Sequence, residues 1–147
     1  MTDIRIGRVE SEEELEAALA IRHEVFVREQ GIPEELDNDG RDGEARHVLA
    51  FAGGLPVATG RVTVSPSGEA VLARIAVRPA NRGRGLGRRV VQELETLAAE
   101  SGARVFCLHP HHYLETFYEG LGYRKSAEGE TVAGHRLIVM TKGGDGG

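Results

Sequence analysis

The segment from Leu72 to Arg89 limits what this chain can become more than any other. Leu72-Ala73-Arg74-Ile75-Ala76-Val77-Arg78-Pro79-Ala80-Asn81-Arg82-Gly83-Arg84-Gly85-Leu86-Gly87-Arg88 passes from a strand-like run, through a glycine-rich loop, into a helix. That helix is marked by an apolar stripe of Leu86, Val90, Leu94 and Leu97, with Val91 and Ala98 beside it, and it ends at Gly102. Glycines at 83, 85 and 87 permit positive φ and let the backbone approach a ligand without side-chain obstruction. The first amides of the helix have no internal partner and lie at the positive end of its dipole. Together these features make an anion site for phosphate or pyrophosphate, to which Arg82, Arg84 and Arg88 can add charge-assisted hydrogen bonds.

Other meanings compete for the segment. It can be a bare glycine-rich turn before a solvated helix start. A dinucleotide fold needs G-x-G-x-x-G/A spacing in an early βαβ unit, which Gly83-Arg84-Gly85-Leu86-Gly87-Arg88 does not provide. A P-loop needs Gly-Lys-Ser/Thr, which is absent. What remains is Arg82-x-x-Gly85-x-Gly87 at a strand-to-helix junction.

Charge sharpens the point. Net charge is −5, yet six arginines and no acid lie between Arg74 and Arg89. The remainder holds 12 basic against 23 acidic residues, a balance of −11. Such a chain is a poor general binder of nucleic acid. With 147 residues and 40% hydrophobic content, it has the size and composition of one globular domain. No apolar run nears the roughly 18 residues of a membrane span, and no signal-peptide core opens the chain. A single cysteine, Cys107, excludes an internal disulfide framework and reads as strand packing. The expectation is a cytoplasmic protein.

The rest of the chain reads as one mixed α/β domain. Asp3–Val9 alternates polar and apolar residues as a half-buried strand does. Ser11-Glu12-Glu13-Glu14 opens a helix as a capping box, and the helix runs to about Glu29 before Gly31 and Pro33. A polar, acidic loop follows over 31–46. His47–Ala52, Pro56–Ser65 and Ala70–Val77 predict an antiparallel meander. Beyond the glycine-rich helix come a strand over Arg104–Leu108, a short helix over Leu114–Leu121 and a last strand over His135–Thr141. The predicted order is β-α-βββ-α-β-α-β, with residues 1–142 as the domain and 143–147 as a disordered glycine-rich tail.

The glycine-rich loop, together with Phe117-Tyr118-Glu119-Gly120-Leu121-Gly122-Tyr123 downstream, resembles the GNAT superfamily of acetyl-CoA-dependent N-acetyltransferases. Gly85 and Tyr118 stand 33 residues apart in the superfamily's order. Arg22-His23-Glu24-Val25-Phe26-Val27-Arg28-Glu29-Gln30 and the acidic loop ending at His47 are similar to the ElaA-like branch. The resemblance spans residues 20–142. It implies a mixed central sheet with an antiparallel N-terminal part, a splayed parallel pair, and helices on both faces. It implies that the backbone of Ile75, Ala76 and Val77 meets the pantetheine arm of acetyl-CoA, and that Arg82, Gly83, Arg84, Gly85, Leu86, Gly87 and Arg88 hold its pyrophosphate. Many relatives pair as homodimers.

The implied reaction is direct attack by an acceptor amine on the acetyl thioester. It needs a deprotonated amine, a polarised carbonyl and a proton for the departing thiolate. Tyr118 matches the superfamily's general acid, a phenol protonated at neutral pH; outside that motif it would read as a core aromatic. Seven residues earlier, where the superfamily has Asn or Gln against the cofactor arm, this chain has His111, which can act as a donor or as a base. Glu29, Asp37, His47 and His111 are the candidate bases for the amine, with Glu29 the first choice and a solvated helix-end carboxylate its plain alternative. The acids at 34–44 either draw a cationic amine to the entrance or form a solubilising loop. No metal is expected. His109-Pro110-His111-His112 lacks the i,i+4 spacing of a zinc pair, and Asp37–Val48 fails the calcium-loop pattern at Arg41, Asp42 and Val48. The acceptor is a small-molecule or peptide amine; neither nucleic acid nor membrane is a partner. The rival function is an acyl-CoA-binding regulatory domain without turnover.

Overall fold

His47, Val48, Leu49 and Ala50 are buried without interruption, so the strand that holds them needs cover on both faces. The computed structural model, which describes residues 3–143, supplies that cover from two helical layers. Seven strands form one sheet: β1 (Ile4–Arg8), β2 (Arg46–Ala52), β3 (Leu55–Val64), β4 (Glu69–Val77), β5 (Val105–Leu108), β6 (Arg124–Val132) and β7 (His135–Gly143). Their order is β1-β2-β3-β4-β5-β7-β6. The strands pair antiparallel except β4 with β5, which run parallel.

Helix α1 (Glu12–Arg22) covers one face, where Ala18 and Ile21 meet Leu49 and Ala76. On the other face, α3 (Leu86–Glu100) buries the predicted stripe of Leu86, Val90, Val91, Leu94, Leu97 and Ala98 against Val48, Ala50, Val62 and Leu72. Short helices α2 (Glu34–Asp37) and α4 (Glu115–Glu119) complete the layers. No helix among the described residues is long and apolar enough to cross a membrane.

Two details position the site. The parallel pair lasts from Glu69↔Val105 to Leu72↔Leu108, where β5 ends while β4 continues. Beyond Leu72, β4 therefore has a strand partner only on its β3 side. There the β3–β4 register slips from Thr59↔Ala76 to Arg61↔Ala73, so Gly60 faces both Arg74 and Ile75. This is a β-bulge, and Arg74 takes a left-handed φ of 56° to make it.

The structure departs from the sequence expectations in several places. The first helix does reach Glu29, but His23–Glu29 is wound as a π-helix, a change of winding that hydrophobic spacing cannot report. Ser11 caps Glu14 as expected, whereas the Glu14 carboxylate accepts from the amide of Glu10 rather than of Ser11. The acidic loop contains α2. Strand β6 was not predicted at all. It is an edge strand, almost wholly exposed, whose polar residues carry no apolar alternation. The one local signal was the Ala133-Gly134 turn, both residues left-handed, joining Val132 to His135. Gly143, expected to open a disordered tail, ends β7; residues 144–147 lie outside the described residues.

A Cβ at Gly60 would stand 2.8 Å from both Leu94 Cδ1 and Val90 Cγ1, and 3.2 Å from Ile75 Cγ1. Both α3 side chains are fully buried and have nowhere to move. Gly60→Ala should therefore cost about 1–3 kcal/mol of stability by overpacking, measured by urea denaturation.

Candidate active site

Where β4 and β5 part, a cleft of about 330 Å³ opens. Its floor comes from Leu72, Ala73, Arg74 and Ile75 of β4 and from Leu108, at the end of β5. One wall carries Phe26, Ile32 and Leu36. The opposite wall is the β6–β7 hairpin, with Glu130, Val132, His135 and Leu137. His111 and Tyr118 also line it. The sequence-predicted residues Ile75, His111 and Tyr118 are thus brought together.

The glycine-rich loop lies beside this cleft. After a single 3-10 turn at Pro79–Asn81, Gly83 and Gly85 take φ of 82° and 74°, and a Cβ at either would meet nothing within 4 Å. Gly85 begins α3 without any side-chain cap, and the first turn holds no acid. Arg89 is the first residue of α3 to bond back, to the Gly85 carbonyl. The amides of Leu86, Gly87 and Arg88 have no acceptor among the described residues. A Cβ at Gly87 would lie 3.6 Å from Phe117 and 3.9 Å from Val77, so the loop packs directly on the helix that carries Tyr118. The arrangement fits a pyrophosphate: free amides, the positive end of a dipole, and exposed Arg84 and Arg88 without ion pairs among the described residues.

Three members of the basic island are occupied internally. Arg74 binds Asp37 and Asp39, Arg78 binds Glu24, and Arg82 grips Glu29. The Arg82–Glu29 pair is bidentate, with both N···O distances at 2.6 Å. Hydrogen bonding from Arg82 holds the Glu29 carboxyl below its ordinary value, with burial opposing. Glu29 is exposed and does not line the cleft, so the structure does not bring it to Tyr118.

Tyr118 is 5% exposed, edge-on to Phe117 and Tyr123, and its hydroxyl has no hydrogen-bond partner among the described residues. Burial pushes its phenol pKa upward, so it stays protonated. His111 Nε2 lies 2.8 Å from Gln30 Oε1, and its Nδ1 is buried without a partner. His135 Nε2 donates to the backbone carbonyl of Gln30 at 2.8 Å. Burial, and then His135 and His112, push the His111 pKa down. Cys107 is buried and its thiol pushed up by burial, in keeping with packing.

The acidic loop is held down rather than open. Arg22, 1% exposed, binds the carboxylate and carbonyl of Asp37 and reaches Asp42 at 2.6 Å. Arg61 binds Asp39 and Asp42 together. His47 Nε2 donates to the Asp42 carbonyl. The aspartates read from sequence as an attraction for amines are therefore countered by Arg22, Arg61 and Arg74. Sequence reasoning also missed the hairpin wall of Glu130, His135 and Leu137, since it missed β6.

A family model for the acetyltransferase (GNAT) domain matches residues 8–143. The chain belongs to that family, within its ElaA-like branch, and is an acyltransferase. A Bacillus subtilis relative named as an acetyltransferase is 38% identical over 146 residues, which are 97% of this chain and 98% of the relative. The ElaA protein of Escherichia coli is 31% identical over 114 residues, 75% of this chain and 74% of ElaA. Its crystal structure superposes with a TM-score of 0.81 at 28% identity, covering 97% of this chain and 99% of ElaA.

Breaking the buried ion network should be costly. Arg22→Met leaves Asp37 and Asp42 short of a counter-charge and should lower the unfolding free energy by about 3–5 kcal/mol. Arg61 holds the Asp39 carboxyl well below the usual carboxylate range. A depressed carboxylate stabilises fully above its unfolded pKa of about 4, and that stabilisation is lost as pH falls below it. Denaturation curves between pH 3 and 7 should therefore show a shallower acid loss in Arg61→Met than in the wild type.

Proposed function

We propose that this protein is an N-acetyltransferase that moves the acetyl group of acetyl-CoA directly to the amine of a small molecule or peptide. The observation that carries this reading is the packing of the uncapped α3 N-terminus against the helix bearing Tyr118. An anion cradle and a buried, protonated phenol thereby flank one cleft. The lone, buried Cys107 suits a reducing, cytoplasmic setting.

In this reading the amides of Leu86, Gly87 and Arg88, with Arg84 and the Arg88 side chain, hold the pyrophosphate of acetyl-CoA. Arg82 and the left-handed Gly83 and Gly85 shape the turn that presents those amides, with Glu29 clamping Arg82 in place. The edge of β4 over Ile75, Ala76 and Val77, which β5 leaves without a strand partner, offers its backbone to the pantetheine arm. Acetyl-CoA supplies the activated acyl group. The amine attacks the carbonyl carbon from the side walled by Phe26, Ile32 and the β6–β7 hairpin. Tyr118 gives its proton to the thiolate as the C–S bond breaks.

Calorimetry with acetyl-CoA, followed by thiol release against a panel of amines, tests this reading. Binding without release would favour the acyl-CoA-binding regulatory alternative, and no binding at millimolar ligand would remove both. Tyr118→Phe should lower kcat roughly 10²-fold with acetyl-CoA affinity unchanged; unaltered turnover would take Tyr118 out of the acid role. Replacing Arg84 and Arg88 together by alanine should weaken acetyl-CoA binding about tenfold or more and flatten its salt dependence, read by titration across a salt series.

A further inference from the structure

We infer that His111 is the base that takes the proton of the acceptor amine, with Nδ1 as the accepting atom and Gln30 as the residue that positions it. This rests on the N-acetyltransferase reading and names a group that reading leaves open.

Three of the four bases that the sequence allowed are ion-paired or lie off the cleft. Glu29 is clamped by Arg82 and lies off the cleft. Asp37 lines the cleft but is bound by Arg22 and Arg74. His47 has Nε2 bonded to the Asp42 carbonyl and its own Nδ1 buried without a partner, but it is not among the lining residues. His111 lines the cleft together with Tyr118.

The tautomer follows from its partner. Gln30 Oε1 can only accept, so the proton sits on His111 Nε2 and the lone pair on Nδ1. That lone pair is buried and unpartnered, a state that an incoming N–H would relieve. Gln30 fixes two rings at once: its side chain holds His111 and its main-chain carbonyl holds His135. The β topology does the rest. His111 forms an isolated bridge with Leu137, which shares a strand face with His135, and all three line the cleft.

The groups facing His111 are His135 of β7, with ring centroids 4.9 Å apart, and its neighbours His112 and Tyr113, the latter stacked at 5.2 Å. Glu130 of β6, Asp37, Arg74 and Tyr118 share the cleft. Burial, and then two neighbouring histidines, disfavour the imidazolium, so the ring is neutral and able to accept at neutral pH. In the step itself the C–N bond forms as the amine proton passes to Nδ1. The C–S bond breaks as Tyr118 protonates sulfur. Solvent then returns the proton held by His111 to the phenolate, and the enzyme is reset.

The test uses the full chain, acetyl-CoA, and two amines as probes, 2-phenylethylamine and spermidine. Imidazole ¹⁵N NMR at neutral pH should show His111 protonated on Nε2 and bare on Nδ1; the opposite tautomer would overturn the proposal. His111→Gln, which restores an amide at this position, should lower kcat about 10²-fold, leave the KM for acetyl-CoA within about twofold, and remove the acid limb that His111 gives kcat/KM at a pH below that of a free imidazole. Gln30→Glu should move that limb to higher pH, because a carboxylate facing Nε2–H favours the imidazolium; a merely structural Gln30 would not move it. Wild-type kcat in His111→Gln, or an acid limb that survives there and vanishes in Glu130→Gln, overturns the base alone. Wild-type protein that binds acetyl-CoA but releases no thiol to either amine overturns the transfer reading, and the base with it.

Discussion

The parting of β4 from β5 is the constraint on which the rest of this structure depends. Two parallel strands share hydrogen bonds only as far as Leu72 and Leu108. Past that point β4 bends at a bulge, made where Gly60 lets the strand settle against Leu94 and Val90 of α3. A sheet edge normally exposes unpaired backbone groups as a liability. Here the opening lies in the middle of the sheet, walled by helices and the β6–β7 hairpin, and it becomes the site.

Charge is arranged around that opening in two ways that net charge cannot distinguish. Arg22, Arg61 and Arg74 are spent on Asp37, Asp39 and Asp42, which fastens the loop after α2 to the sheet and shapes one wall of the cleft. Such buried pairs contribute less to net stability than to holding one arrangement, since desolvation offsets much of their attraction. Arg84 and Arg88 remain exposed beside uncapped amides. One group of arginines therefore builds the wall, while the other stays available to an anion.

Much of this was legible along the chain because it depends on local spacing. The stripe Leu86–Ala98 gave α3 its buried face, and the glycines at 83 and 85 do take the positive φ that an open turn requires. Tyr118, singled out by its motif, lies in the lining of the cleft. Strand β6 was not legible: an exposed edge strand has no buried face to write into its sequence, and its pairing is set by β7. The π-helical turn at His23–Glu29 was hidden for a related reason, since one widened turn barely alters the apolar spacing.

The sequence by itself determined the helix α3, the glycine-rich turn before it and the family, because each is carried by residues close together in the chain. Only the tertiary structure decided which chemical groups are free to act. Glu29 and Arg82 are 53 positions apart, and Gln30 and His111 are 81 apart. Whether a carboxylate is clamped or an imidazole nitrogen is left bare depends on partners that meet only when the sheet closes. The fold thereby sorted the four candidate bases: Glu29 and His47 lie off the cleft, Asp37 is ion-paired, and His111 lines the cleft with Tyr118 and keeps an unpaired nitrogen.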